Sequence, residues 1–260
     1  MWRLPSIMDN KLSAQQKIQE DEYNFPYHYL NLLSRFQDIE YVSYIKIVKG
    51  LLGQLKGKKL LDFGCGDGRF EFELRKEGCS VLGVDFSKKA ISFAKAFNYG
   101  HPGLSFVSAD IRSLTGKKFD AILVIETLEH IKPEELPEII QALHRLLKKD
   151  GKLIITVPSK NLPLSPKHYQ HFNEDSLKKT LNKQFNIKKV IWQYNLSYSL
   201  RFAIRVLSVF GRVIEILNGQ GAITQGYAKL LWKIYRAKME IASLHNGKRL
   251  IAVCSPTDSF

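Results

Sequence analysis

A turn of three alternate glycines follows a short apolar run, at Gly64, Gly66 and Gly68. Glycine permits a positive φ and leaves no Cβ between the main chain and a ligand, and a helix that begins there offers unpaired N–H groups. Carboxylates lie around this turn, at Asp62, Asp67 and Glu71. Because they would repel a pyrophosphate at short range, the sequence predicts a turn that binds a polar ligand carrying positive charge.

A further acid lies where the next strand of a parallel sheet would end. Asp85 closes the apolar run that begins at Ser80, about 20 residues after Asp62, which is where a second-strand acid binds ribose hydroxyls. The glycine spacing also differs from the Gly-x-Gly-x-x-Gly of dinucleotide sites. S-adenosylmethionine fits these residues better than a dinucleotide, because it combines a ribose with an ammonium and a sulfonium and has no phosphate.

With these residues in this order, the chain resembles the class I S-adenosylmethionine-dependent methyltransferases over roughly residues 58–158, nearest to the ubiquinone-pathway O-methyltransferases. The resemblance implies that Asp62 and the glycines line the methionine end and that Asp85 binds the ribose. It also implies that Asp110 accepts from the adenine amino group and that Ile111 packs on the ring. The implied cofactor-binding set is Asp62, Gly64, Cys65, Gly66, Gly68, Asp85, Phe86, Asp110, Ile111 and Glu126.

The segment Glu126-Thr-Leu-Glu129-His130 brings two carboxylates and an imidazole together, and these are ligand types for divalent metals. It resembles a motif of the ubiquinone-pathway enzymes and of small-RNA 3′-end 2′-O-methyltransferases, where a later histidine helps to hold magnesium. His168 or His171 would supply that ligand here. Because the motif also recurs in the superfamily without a known metal, a site without metal is the default expectation.

Several histidines are candidates for the base that deprotonates a hydroxyl acceptor, because imidazole titrates near neutral pH. The catalytic candidates are His130, His168 and His171, with His28 as a further one. The aromatic cluster around Pro26 supplies the predicted substrate residues, together with one later histidine: Tyr27, His28, Tyr29 and His168. The alternative is that these aromatic residues attach a helix to the core and that the histidines are packing residues.

Composition restricts the setting of the protein. The chain has 260 residues, 45% of them hydrophobic, and only three cysteines, which is too few for a disulfide framework or a zinc cluster. Neither a signal peptide nor a membrane span of about 20 apolar residues is visible. We therefore expect a cytoplasmic protein. The net charge of +14 is concentrated between residues 183 and 249, which predicts an anionic partner there: nucleic acid, acidic lipid or a phosphorylated substrate.

The alternation of apolar and amphipathic segments from residue 58 predicts an α/β fold. We expect a Rossmann-like, seven-stranded methyltransferase sheet with helices on both faces. In this interpretation residues 1–56 form an N-terminal arm and helical cap, and residues 57–195 with 246–260 form the methyltransferase unit. Ser87 should cap the second helix of the unit, Pro133 should open the helix predicted over 134–148, and Asp150-Gly151 should follow it.

Residues 196–245 form the remaining part, predicted to be a helical hairpin inserted before the last strand. Its first helix is apolar on most of its surface, with a narrow edge formed by Arg201, Arg205, Ser208, Arg212 and Glu215. A substrate lid, a contact with an anionic membrane and the seam of a homodimer all fit this pattern. Packing of the two helices on each other and on the sheet is the simpler alternative.

Three classes of function are consistent with these patterns. The favoured one is an S-adenosylmethionine-dependent methyltransferase that acts at O or N of a small-molecule or lipid-linked acceptor, peripheral to a membrane in the lipid case. An RNA methyltransferase of the metal-assisted 3′-end type is the alternative, although the basic stretch lacks the interleaved stacking aromatics of a single-strand groove and no separate RNA-binding module is visible. The third is a protein that binds the cofactor without transferring a methyl group.

Overall fold

The computed structural model describes residues 12–32, 39–116, 118–181, 183–193, 198–239 and 242–257. Parts of three predicted segments lie outside the described residues. These parts are residues 1–11 of the arm, 33–38 of the cap, and 196–197 and 240–241 at the ends of the hairpin.

A seven-stranded sheet forms the centre of the described chain. Its strands are β1 (Lys59–Phe63), β2 (Ser80–Asp85), β3 (Leu104–Ser108), β4 (Phe119–Ile125), β5 (Leu147–Pro158), β6 (Phe185–Gln193) and β7 (Arg249–Pro256). They lie side by side in the order β3-β2-β1-β4-β5-β7-β6. The pairs from β3 to β5 are parallel, and β7 runs antiparallel to both of its neighbours. The predicted Rossmann-like sheet is thereby confirmed.

Eight α-helices lie among the described residues. They are α1 (Ala14–Glu22), α2 (Ile39–Leu52), α3 (Arg69–Leu74), α4 (Lys88–Phe97), α5 (Leu136–Leu146), α6 (Glu174–Leu181), α7 (Tyr198–Asn218) and α8 (Ala222–Met239). α1 begins with a capping box, in which Ser13 and Gln16 each accept from the other's backbone N–H. Ser87 caps α4 as predicted, because its hydroxyl accepts from the N–H of Ala90 at 2.9 Å.

Apolar clusters cover both faces of the sheet, which explains why its parallel strands are almost continuously hydrophobic. Successive residues of β1 face opposite ways: Leu61 belongs to the cluster under α5 and α6, and Leu60 to the cluster under α2 and α3. The sheet is therefore held between two helical layers, and the ends of its parallel strands are free to carry side chains of the site.

Two predicted ends of α5 differ from the structure. The helix begins at Leu136 with Pro137 in its first turn, so Pro133 lies before the helix and does not open it. The helix also ends earlier than predicted, at Leu146, because the next residue, Leu147, already pairs with Phe119 of β4. Asp150-Gly151 consequently belongs to β5 instead of terminating a helix.

The hairpin of α7 and α8 connects β6 to β7. The two helices pack on each other, and α8 also touches α2, where the Lys46 ammonium lies 4.1 Å from the centre of the Trp232 ring. Cys65, Cys79 and Cys254 are free thiols. Over the described part of the chain, no helix combines the length and the apolar character needed to cross a bilayer.

Candidate functional site

The glycine turn directly follows β1, and its conformation requires glycine. Gly64 and Gly66 have φ values of 81° and 55°, in the left-handed region. A Cβ on Gly64 would lie 2.2 Å from Oγ1 of Thr127, and one on Gly66 would lie 2.5 Å from the hydroxyl oxygen of Tyr23. Both backbone geometry and space therefore exclude a side chain where the turn meets its neighbours.

Asp62 on β1 and Glu71 on α3 form a pair of buried carboxyl groups beside this turn, which also carries the buried Asp67. Apart from a proton that the pair shares, Oδ1 of Asp62 and both oxygens of Glu71 have no hydrogen-bond partner within the described residues. Burial raises the pKa of Asp62 to about 7, and burial followed by the charge of Asp62 raises the pKa of Glu71 well above its ordinary value. Glu71 is thus protonated when Asp62 ionises, and it lowers the Asp62 pKa by donating to it. The pair is a buried anion that a cationic ligand would stabilise.

Asp85, at the end of β2, is held by two backbone donors. Its Oδ2 accepts from the N–H of Gly66 and its Oδ1 from the N–H of Ser87, each at 2.9 Å. Burial nevertheless raises its pKa to about 6, against the lowering effect of these bonds. Each carboxylate oxygen can accept two hydrogen bonds and here accepts one from the backbone, so Asp85 can still accept hydrogen bonds from a vicinal diol.

The turn opens into a cavity of about 830 Å³, within the range of roughly 300–1,000 Å³ that is usual for ligand sites. Most of the predicted site residues line it together: Tyr27, His28, Asp62, Gly64, Cys65, Gly66, Asp85, Phe86, Asp110, Ile111, Glu126, Glu129, His130 and His168. The structure therefore brings the predicted cofactor and acceptor residues into one space.

Three predicted site residues are absent from the described lining of this cavity: Gly68, Tyr29 and His171. The carbonyl of Gly68 accepts from Nδ2 of Asn98 at 3.2 Å. The Tyr29 ring stacks on Phe97 with centroids 3.9 Å apart. Nε2 of His171 lies 2.8 Å from Nδ1 of His168, which does line the cavity.

The two positions that the resemblance implied for adenine line the cavity and also have partners within the protein. Both carboxylate oxygens of Asp110 accept from Arg112, at 2.5–3.0 Å. Although partial burial opposes it, this contact holds the pKa of Asp110 below its ordinary value. Ile111 is fully buried in the core cluster under α5. Asp110 is thus oriented by an ion pair at the cavity edge.

Glu126 follows β4 and has a φ of 47°, the single positive value for a non-glycine residue in the described chain. Its N–H donates to the carbonyl of Thr156 at 3.0 Å, and its Oε1 accepts from the Thr156 hydroxyl at 2.9 Å. The same carboxylate lies 3.2 Å from Nε of Arg249, whose guanidinium lies 4.1 Å from the centre of the Tyr44 ring. The Tyr44 hydroxyl lies 2.5 Å from the Thr156 hydroxyl. These contacts fix the strained residue and direct its carboxylate to Arg249.

The predicted metal ligands divide accordingly. One potential ligand atom from each of Glu129, His130 and His168 falls within a 4.8 Å cluster, and Glu126 is not part of it. Glu129 is buried and its Oε2 has no donor in the described structure. Burial, followed by the nearby charge of Glu126, raises the pKa of Glu129 well above its ordinary value. A cation at this cluster would offset the free-energy cost of ionising the buried Glu129.

Hydrogen bonds behind the cluster determine which ring nitrogens face it. His130 Nδ1 donates to the carbonyl of Lys167 at 3.1 Å, and His171 Nδ1 donates to that of Leu162 at 3.2 Å. In the tautomer that donates from Nδ1, His171 accepts at Nε2 from Nδ1 of His168, at 2.8 Å. Burial lowers the pKa of His130, and burial with its neighbouring histidines lowers that of His168 to about 3. Both rings thus keep a lone pair on Nε2, the arrangement typical of metal-binding histidines.

The N-terminal segment closes one side of the cavity. The Tyr169 hydroxyl donates to Oγ of Ser13 at 2.9 Å, and Lys167 pairs with Glu22 at 2.7 Å. His28 Nδ1 lies 3.1 Å from Oδ1 of the buried Asp67, so the arm also reaches the glycine turn. These contacts hold α1 and the segment after it across the cavity.

S-adenosylmethionine fits the groups described above. The glycine turn offers backbone next to Asp62, whose buried carboxylate lacks a cation, and Asp85 offers acceptors for a ribose at the adjacent strand end. The sequence did not identify Thr127, Thr156 or Arg249 as site residues, because Thr156 and Arg249 lie in no recognisable motif and Thr127 is neither an acid nor a histidine. Of these, only Thr127 carried a local signal, since it lies inside the Glu126–His130 segment.

Comparison with known proteins agrees with this geometry. The sequence profile of a family described as "Methyltransferase domain" matches residues 36–197, more than half of the chain. A ubiquinone biosynthesis O-methyltransferase of Pseudomonas aeruginosa is 32% identical over 123 residues, which are 44% of this chain and 49% of that protein. One from Coxiella burnetii is 36% identical over 112 residues, covering 41% and 46%. The matches thus span about half the length of these curated relatives.

A solved structure shares the fold. The N-methyltransferase NodS of Bradyrhizobium japonicum, in complex with S-adenosyl-L-homocysteine, aligns with a TM-score of 0.63 over 95% of this chain and all of that one, at 14% identity. At this identity the likeness concerns the fold alone.

Proposed function

The chain belongs to the class I S-adenosylmethionine-dependent methyltransferases, and from this premise we propose that it transfers the methyl group of S-adenosylmethionine to an oxygen of a small-molecule or lipid-linked acceptor. The observation that carries the proposal is the sharing of one cavity by two sets of groups. Asp62 and Asp85 suit the cofactor, and Glu129, His130 and His168 suit a cation that binds oxygen.

The cofactor supplies an electrophilic methyl group on a sulfonium. Asp62 would pair with its ammonium and Asp85 would accept from its ribose diol, and the lack of a side chain at Gly64 and Gly66 leaves room for close approach. In the transfer the acceptor oxygen bonds to the methyl carbon as the carbon–sulfur bond breaks, so the chain mainly positions the two partners and excludes water. The aromatic walls formed by Tyr23, Tyr27 and Tyr41 suit this exclusion.

The acceptor hydroxyl loses its proton in the reaction, and we assign the proton-accepting role to His28. This imidazole lines the cavity, and Asp67 holds it through Nδ1 and would stabilise its charged form. His130 and His168 are then left to act as ligands. A divalent cation held with Glu129 would supply Lewis-acid chemistry that lowers the pKa of a bound hydroxyl.

The choice of oxygen as acceptor atom has two supports. The donor set of one carboxylate and two imidazoles suits a cation that accepts hydroxyl oxygens as further ligands. The curated relatives of 32% and 36% identity are O-methyltransferases by name. A phenolic ring also suits a cavity with tyrosine walls, because aromatic pairs add to the energy of area burial.

The test offers labelled S-adenosylmethionine and Mg²⁺ to the full chain with three acceptor fractions: soluble phenols, a lipid extract and total RNA. We expect label in the phenol or lipid fraction, with loss of transfer in Asp85→Asn. Asp175→Asn, an exposed acid on α6, is the matched control and should keep full activity. Label in RNA alone would replace the proposal with the RNA methyltransferase, and failure to bind S-adenosylhomocysteine would refute it altogether.

A further inference from the structure

The hairpin of α7 and α8 has its apolar side chains on the outside. Large hydrophobic residues of α7 face solvent along one stripe, with Phe202 70% and Ile216 81% exposed and Val206, Val209 and Val213 between them. Positions separated by three and four residues lie on one helix face, so these side chains form a continuous surface. A hairpin that only packs on its own protein would bury this face.

The contact between the two helices uses other faces of α7 and α8. Ile204, Ser208, Thr224 and Ala228 are buried together with the larger Leu231 and Tyr235, so small and large residues share this contact, and the Tyr227 hydroxyl donates to the carbonyl of Leu207 at 2.8 Å. The predicted polar edge of α7 is therefore split, because Ser208 turns into this contact while Arg205 and Arg212 remain exposed. The helices thus pack on each other through one face each and leave the apolar stripe from Phe202 to Ile216 exposed.

The charges beside this surface decide which partner suits it. Exposed cations accompany it on both helices, at Arg205, Arg212, Lys229 and Lys233, whereas Glu215 is the one acid in the sequence from 198 to 239. Two copies meeting face to face would bring like charges together, which is unfavourable. An anionic bilayer offers hydrocarbon for the apolar stripe and headgroups for the cations.

We propose that the α7–α8 hairpin lies in the interface of an anionic membrane, with the Phe202–Ile216 stripe entering the boundary between headgroups and acyl chains. The hairpin lies along the membrane and does not cross it, in agreement with the absence of a spanning helix among the described residues.

The position of the hairpin connects this surface to the cavity. It leaves the sheet at Gln193 and returns at Arg249, and these two residues pair with each other at the edge where β5 ends. Arg249 itself lines the cavity. A docked hairpin would therefore hold the cavity close to the lipid surface. Resting on the proposed function, this step favours the lipid-linked acceptor over the soluble one.

Vesicle co-sedimentation tests the membrane contact without measuring methyl transfer. Vesicles of phosphatidylcholine with 30% phosphatidylglycerol should bind the full chain at least tenfold more tightly than pure phosphatidylcholine vesicles. The difference should shrink at 0.5 M salt, because ions screen headgroup attraction. Each exposed cation is worth about fivefold near such a surface, so R205Q/R212Q should bind roughly 25-fold more weakly.

The paired variant F202S/F210S removes two exposed rings and should lose binding to anionic vesicles by at least tenfold. Leu164→Ser, an exposed apolar residue outside the hairpin, is the matched control and should bind as the parent does. Uptake of S-adenosylhomocysteine by each variant reports folding and the cofactor site separately. Equal binding to neutral and anionic vesicles, or a dimer in light scattering that F202S/F210S dissociates without any vesicle binding, would overturn the proposal.

Discussion

Cofactor affinity should depend on pH through the buried carboxyl pair. Asp62 is protonated below its pKa of about 7, and only its ionised form can pair with the cofactor ammonium. Glu71 remains protonated in that range, because burial and the charge of Asp62 raise its pKa well above the ordinary value. The affinity for S-adenosylhomocysteine, which keeps the ammonium but lacks the methyl group, should therefore rise with pH up to about 7 and then level off.

The size of the effect follows from the pKa. Each pH unit below about 7 leaves a tenfold smaller ionised fraction of Asp62, so Asp62 alone should make the affinity at pH 5 about 100-fold lower than at pH 8. Asp85, with a pKa of about 6, adds a second loss only below that pH. The ligand-free protein should behave in the opposite sense. Burial raises the pKa of Asp62 in the folded protein. Protonated Asp62 therefore contributes about 4 kcal/mol to the free energy of unfolding below pH 4, and this contribution is lost by pH 7.

Isothermal titration calorimetry between pH 5 and pH 8 measures the affinity for S-adenosylhomocysteine and the number of protons released on binding. In two buffers of different ionisation enthalpy, binding at pH 6 should release close to one proton per ligand. The thermal shift that S-adenosylhomocysteine gives should also grow with pH over this range, because the cofactor stabilises the ionised form.

Two substitutions at Glu71 separate this mechanism from a general effect of acid. Glu71→Gln keeps a donor beside Asp62 and should leave the midpoint near pH 7. Glu71→Leu removes the donor and should move the midpoint upward, because the bond from Glu71 lowers the Asp62 pKa. An affinity that is flat from pH 5 to pH 8 in the parent, without proton release, would refute the reasoning.

Three further outcomes are expected. Gly64 has a φ of 81°, and a Cβ there would lie 2.2 Å from Thr127, so Gly64→Ala should weaken S-adenosylhomocysteine binding at least tenfold in calorimetry. Gly100 has a similar φ of 78° but open space around it, so Gly100→Ala should lower only the free energy of unfolding, by about 1–2 kcal/mol. Glu129→Gln should abolish Mn²⁺ binding followed by electron paramagnetic resonance, while Glu126→Gln should retain it, because Glu126 pairs with Arg249; equal loss in both would contradict the division of the motif. His28→Ala should lower kcat by about 10²–10⁴-fold with KM nearly unchanged, and an unaltered kcat would exclude it as the base.

Local patterns in the sequence determine much of this structure. The glycine turn was predictable because left-handed backbone at Gly64 and Gly66 and a carboxylate before it leave a signature within a few residues. The strands were predictable because both sheet faces are covered and the runs are apolar throughout. The start of β5 was not, because helix α5 gives way at Leu147 to a pairing with Phe119, which lies on a different strand.

The roles of the acids in the Glu126–His130 segment show where local patterns stop being informative. Glu126 and Glu129 are chemically alike and three residues apart, so the sequence alone could name both as candidate metal ligands but could not distinguish them. The structure separates them through residues that are distant in the chain: Arg249 pairs with Glu126, and His168 joins Glu129. Neither partner lies in a motif, since β7 supplies the first and the loop after β5 the second. A carboxylate that already pairs with a cationic side chain is less available to a metal ion. In the described chain Glu126 pairs with Arg249 and Oε2 of Glu129 has no hydrogen-bond partner, so Glu129 is the acid available as a metal ligand.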